Sequence, residues 1–99
     1  MCQQTAHVDE AKAKFPFGQI VSTPNALHQI PTDEILVALS RHVRGDWGTL
    51  ENEDRNANDQ ALKHGGRLLS AYHSTQGVKF WIITEADRSV TTVLLTEDY

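Results

Sequence analysis

In the last third of the chain, apolar and polar residues alternate with the two-residue period of strands. Three such runs follow one another, at 67–73, 78–84 and 90–95, separated by short turns at 74–77 and 85–89. In the middle run Val78, Phe80, Ile82 and Thr84 point one way, and Lys79, Trp81 and Ile83 point the other. Large apolar groups stand on both sides, so this strand is expected at the centre of a sheet covered at least in part on both faces. The outer runs follow the same rule. Leu69 and Ala71 oppose Leu68, Ser70 and Tyr72, and Val90, Thr92 and Leu94 oppose Thr91, Val93 and Leu95.

Upstream the period changes. Thr32-Asp33-Glu34 opens the most regular helical pattern, with acidic residues where the helix dipole is positive. Ile35, Leu36, Leu39 and Val43 then share one face. Arg41 and Arg44 sit in the last turn, and Gly45 ends the helix, predicted over 33–44. Glu34, Ser40 and Arg41 fall off the apolar stripe and are expected to face water. A second helix is predicted over 50–64, capped by Thr49, with Glu51, Glu53 and Asp54 in its first turn. Its apolar residues are few (Leu50, Ala57, Ala61 and Leu62), so it should cover the core with one thin face. Gly65-Gly66 breaks it. Residues 17–22 read as a short edge strand between Pro16 and Pro24, followed by a helical turn through Ala26, Leu27 and Ile30. Residues 1–14 carry no apolar period and are expected to form an arm.

The predicted fold is therefore α+β, one domain over 15–99. It is a three- to four-stranded antiparallel sheet, made by the meander at 67–95 and an edge strand at 17–22, with two main helices on one face. Helices on one side leave the other side to the N-terminal segment or to a second molecule. That surplus of apolar area points to a partner.

Composition narrows the function classes. The chain has 99 residues, 39% hydrophobic and 22% charged, as expected for one water-facing domain. A net charge of −4 does not attract phosphate, so nucleic acid is not the expected partner. Cys2 is the single cysteine, which excludes an intrachain disulfide and a cysteine zinc site. No apolar run has the length of a membrane span, and the first ten residues lack the order of a secretory signal, so a cytoplasmic location is expected.

The five histidines are His7, His28, His42, His64 and His73, and no two have metal-ligand spacing; neither a metal nor another cofactor is expected. His42 and His64 lie near helix ends and read as surface groups. Gly45-Asp46-Trp47-Gly48 reads as a turn in which Asp46 bonds the loop backbone and Trp47 folds back onto the helix. One catalytic alternative can be assembled. A metal-independent ribonuclease needs a base, a cation and hydroxyl donors, and His42 or His64, Arg67, Ser70, Tyr72 and Thr92 are of the right types. The order of helices and sheet also loosely resembles small toxin ribonucleases of the barnase and RelE-like kind, in architecture alone.

A closer resemblance is carried by Gly18-Gln-Ile-Val-Ser-Thr-Pro24, Arg41-His-Val-Arg-Gly-Asp-Trp-Gly48, Asn58, Ala61-Leu62 and Arg67-Leu-Leu-Ser-Ala-Tyr72. Its most specific part is Trp81-Ile-Ile-Thr-Glu-Ala-Asp-Arg-Ser-Val-Thr-Thr-Val-Leu-Leu95, closing on Glu97-Asp98-Tyr99. Over 17–99 the chain resembles a family of short proteins from bacteria and their mobile elements labelled "plasmid-related protein", or type I restriction methylase subunit. Family members usually have proline where this chain has Thr96. The resemblance implies a mobile-element setting and brings no catalytic residue with it. A methylase would need a cofactor-binding Rossmann domain, for which this length leaves no room. The expected function is a non-enzymatic interaction module, accessory or anti-defence in role. It would bind a host protein, or itself as a homodimer, through Trp47, Tyr72, Lys79, Trp81 and Ile83.

Overall fold

The structure, a computed structural model, describes residues 13–99. Most of the expected arm, with Cys2 and His7, lies outside the described residues. In chain order the elements are β1 (Gln19–Ser22), α1 (Pro24–Gln29), α2 (Thr32–Val43), α3 (Asn52–His64), β2 (Leu68–His73), β3 (Lys79–Thr84) and β4 (Val90–Leu95), followed by a 3-10 turn at Thr96–Asp98. The α+β expectation holds.

The four strands form one sheet in the order β1-β4-β3-β2. The meander β2-β3-β4 is antiparallel, as its short turns require. β1 departs from expectation, because it runs parallel to β4 with Ile20 beside Thr91 and Val21 beside Thr92. The sheet is therefore mixed. The physical reason lies at the far edge, where β2 is already occupied. The side-chain amide of Asn58 donates to the Leu69 carbonyl (2.7 Å) and accepts from its N–H (3.1 Å). Ala71 in turn donates to the Trp47 carbonyl and accepts from the Thr49 N–H. β1 is left the β4 edge, and its direction follows from the connection. The long α1–α3 crossover carries the chain from β1 to β2 in the same direction, and two antiparallel steps, β2 to β3 and β3 to β4, bring β4 back parallel to β1.

Inward-facing strand residues and the helices build one core. Leu68, Tyr72, Phe80, Ile82, Val93 and Leu95 pack with Ile35, Ala38, Leu39 and Val43 of α2, Ala26 of α1 and Ala61 of α3. Phe15, Phe17 and Trp47 belong to the same cluster, so the described N-terminal residues lie on the helix side. They do not cover the opposite face of the sheet.

Local chemistry explains the helix ends. Thr23 caps α1 through Oγ1, which accepts from the Ala26 N–H, and Pro24 sits in the first turn. The Asp98 carboxylate accepts from Thr23 Oγ1 (2.7 Å), Asn25 Nδ2 (2.8 Å) and the Leu95 N–H, which fastens the 3-10 turn to α1. These bonds hold the Asp98 carboxyl below the usual carboxylate range, Thr23 contributing most. α3 begins at Asn52 without a side-chain cap. Thr49, expected as that cap, instead bonds Ala71, and Arg55 reaches back to the carbonyls of Gly48 and Leu50.

Glu34, Ser40 and Arg41, expected in water, are half-buried. Glu34 accepts from the N–H and Oγ1 of Thr75, tying α2 to the β2–β3 turn. Arg41 stacks 4.9 Å from the Tyr72 ring centre and pairs with Asp46 at 2.8 Å. That hydrogen bond lowers the Asp46 pKa and raises that of Arg41.

Candidate functional site

The two faces of the sheet have different chemistry. On the helix side, the inward positions of three strands include three hydroxyls, Ser70, Thr84 and Thr91, all buried. Buried hydroxyls need partners. α2 supplies one in His42, which is 0% exposed and so is no surface histidine. Its place on the helix explains this: it lies between Leu39 and Val43 and continues the buried stripe of Ile35, Ala38 and Leu39. Ser70 Oγ lies 2.5 Å from His42 Nδ1, and Thr84 Oγ1 lies 2.9 Å from Nε2. Thr84 Oγ1 is 2.8 Å from Thr91 Oγ1, and Thr91 donates to the Phe17 carbonyl at 2.7 Å.

The last acceptor sets the direction of the whole relay. A carbonyl only accepts, so the Thr91 proton is spent on Phe17. Thr84 must then donate to Thr91, and His42 Nε2–H must donate to Thr84. Nδ1 is the bare nitrogen and accepts from Ser70. Burial, with a smaller push from the Arg88 cation, lowers the His42 pKa to about 3. The imidazole is thus a neutral, doubly bonded link between α2, β2 and β3.

Among the described residues no α-helix lies on the opposite face. Its exposed-side positions are Leu69 and Ala71 on β2, Lys79, Trp81 and Ile83 on β3, and Val90, Thr92 and Leu94 on β4. Ile83 and Leu94 are buried yet lie outside the core cluster. Trp81 and Tyr99 meet edge to face, 5.3 Å between ring centres and 70° apart. Arg67 Nη1 donates to the Tyr99 hydroxyl at 3.4 Å, and Arg67 pairs loosely with Glu85 at 3.6 Å. Between these groups lies a groove of about 230 Å³ lined by Arg67, Leu69, Trp81, Ile83 and Tyr99. Its floor is aliphatic, one wall is aromatic and its rim holds one guanidinium. That suits an apolar or aromatic side chain of a partner. A larger hollow of about 570 Å³ borders Lys14, Phe17, Ile20 and Val43, and among the described residues Lys14 is its one ionisable lining group.

The expected binding residues divide between the faces. Lys79, Trp81 and Ile83 stand together on the helix-free face. Trp47 and Tyr72 stand in the core: Trp47 packs on Phe15 and His42 while its Nε1 donates to Asp59, and the Tyr72 hydroxyl donates to the Asp46 carbonyl at 2.6 Å. Burial raises the pKa of that hydroxyl. The residues of the ribonuclease alternative divide as well. His42, Ser70 and Tyr72 lie on the covered side, Arg67 and Thr92 on the other, and His64 is exposed at the end of α3. Among the described residues, no three His, Cys, Asp or Glu side chains gather as a metal site.

Sequence reasoning missed Tyr99 as the wall of the groove and His42 as the hub of the relay. A signal for His42 was present, since Ser70, Thr84 and Thr91 are polar at inward strand positions. Nothing in the pattern marks Tyr99, because its place depends on the 3-10 turn that folds it back.

A scan against models of protein families, a search of the curated proteins and a search of the solved structures each find no match for this chain. No helix among the described residues is long and apolar enough to cross a membrane.

Proposed function

We propose that this chain is a non-enzymatic interaction module that docks a protein partner on the helix-free face of its sheet. The observation that carries the reading is the groove between Trp81, Tyr99, Leu69 and Ile83, which no α-helix among the described residues covers and whose wall, Tyr99, is 70% exposed. Aromatic side chains with an arginine at the rim are the groups enriched where proteins bind one another. The family resemblance supplies the setting: an accessory or anti-defence protein of a mobile element, acting on a host protein in the cytoplasm. No observation favours the ribonuclease alternative, because its imidazole at position 42 is sealed and already committed to two hydroxyls.

A photoreactive phenylalanine at position 99, in the full chain expressed in host cells, tests the reading. One discrete adduct is expected from position 99 and none from position 56 on the exposed side of α3. Trp81→Ala should abolish the adduct. Identical adducts from both positions would show that the groove is not the docking site.

A further inference from the structure

The two edges of the sheet are finished differently. On β2 the outward-facing backbone groups of Leu69 and Ala71 are all paired, through Asn58 and the loop at 47–49. On β1 the Gln19 and Thr23 N–H groups donate to β4, at Ser89 and Val93. Strand alternation then turns the N–H and C=O of Ile20 and Ser22 outward. Among the described residues nothing pairs with them. A strand edge of this kind is a template for another strand, and proteins that avoid pairing place charges or proline on it. β1 does the opposite. Gln19-Ile-Val-Ser22 is uncharged, Ile20 is 47% and Val21 37% exposed, and neighbouring Leu27 on α1 is 61% exposed.

The charge pattern says what fits this edge. Between Lys14 and Asp33 the sequence holds no Asp, Glu, Lys or Arg, and this stretch contains all of β1 and α1. One carboxylate, Asp98, is bonded to this stretch through Thr23 and Asn25, and those bonds keep it ionised at the first turn of α1, past Val21. In a chain of net charge −4, two copies repel over most of their surface and least along this edge. A charged partner segment would gain nothing there.

We propose that β1 pairs antiparallel with β1 of a second copy across a two-fold axis at Val21. In that register Ile20 of each copy exchanges both backbone hydrogen bonds with Ser22 of the other. The two Val21 residues face each other as a non-hydrogen-bonded pair, with Cα atoms about 4.5 Å apart. The product is a continuous eight-stranded sheet with isologous symmetry. The contact is small, below the roughly 1,200 Å² of stable complexes, so the dimer forms at high concentration. The pairing uses no residue of the Trp81–Tyr99 groove, and either site can fail without the other.

The test uses the full chain with Cys2→Ser. Sedimentation should pass from monomer to dimer as concentration rises to about 1 mM. Under oxidation Val21→Cys should form a disulfide-linked dimer, because the pair distance lies within disulfide reach. Gln19→Cys should not, since its twin would lie about 13 Å away along the strand. Ile20→Pro removes an outward N–H and leaves the β4 bonds intact, so it should weaken dimerisation at least tenfold with little change in melting temperature. A monomer at the highest concentration, with no more linkage from position 21 than from 19, would overturn the proposal. So would concentration-independent protection of the Ile20 and Ser22 amides in a monomer, which would mean that the edge is filled within one chain.

Discussion

The side chain of Asn58 is bonded at both ends to the backbone of Leu69, at 2.7 and 3.1 Å, and so acts as a one-residue strand on the β2 edge. Asn58 and Ala61 are the two buried residues of a helix that is mostly exposed. This explains how α3 stays on the sheet with little apolar area. Asn58→Ala should lose both bonds and leave the Leu69 groups unpaired, a cost of about 2–3 kcal/mol. Amide exchange at Leu69 should speed up more than exchange at Ile82 in the sheet centre. Asn58→Asp keeps the acceptor but turns a carboxylate toward a carbonyl, and should be no better than Ala. A variant as stable as the parent would show that α3 is held by something else.

Gly48 completes the same seal. Its φ is +77°, and a Cβ there would stand 1.9 Å from the Ala71 carbonyl oxygen and 2.9 Å from the Tyr72 ring. Gly65, at φ +87°, has open space around it. Both positions resist side chains through backbone strain of about 1–2 kcal/mol. At Gly48 the clash with a backbone atom adds to that strain. Denaturant unfolding should therefore rank Gly48→Ala well below Gly65→Ala, and equal losses would refute the close approach of the loop to β2.

The strands of the meander and the stripe of α2 were legible because each buries one face and repeats at its own period. The partition of β3 was legible for the same reason, and Lys79, Trp81 and Ile83 do share the helix-free face. The pairing of β1 was not legible. Which edge it joins depends on Asn58 and Gly48 closing the other one, a tertiary fact with no period. His42 was misread because an apolar stripe was counted by apolar residues alone, and a histidine that partners two buried hydroxyls is invisible to that count. Trp47 was read both as folding back onto the helix and as a binding residue, and Tyr72 as a binding residue. The structure turns both inward, where Asp59 and the Asp46 carbonyl satisfy their polar ends.

Leu39 is buried at 2% exposure in the middle of the α2 contact with the sheet. Leu39→Ala should cost about 2–5 kcal/mol, and Leu39→Asp should unfold the domain, since a buried carboxylate there has no partner. Circular dichroism and a thermal melt read both. An unchanged melting temperature for Leu39→Asp would refute the placement of α2.

The relay through His42 makes stability depend on pH in a window of its own. The folded imidazole stays neutral down to a pKa of about 3, whereas an unfolded histidine takes a proton near 6.5. Above pH 6.5 neither state binds the proton, so the relay contributes fully. As pH falls below 6.5 the unfolded state gains a proton that the folded state refuses, and stability is lost until the pH reaches about 3. From pH 7 to pH 5 the loss should be about 2 kcal/mol. The carboxylates of Asp46 and Asp98, held low by Arg41 and by Thr23 with Asn25, add losses of the same sign but at lower pH, as the unfolded carboxyls begin to protonate. Urea unfolding at pH 7, 6 and 5 separates the two windows. His42→Gln offers an acceptor and a donor without a titrating group. It should be less stable than the parent at pH 7, yet flat between pH 7 and 5. A parent protein that is also flat over that range would mean that water reaches the imidazole and that the relay is not sealed.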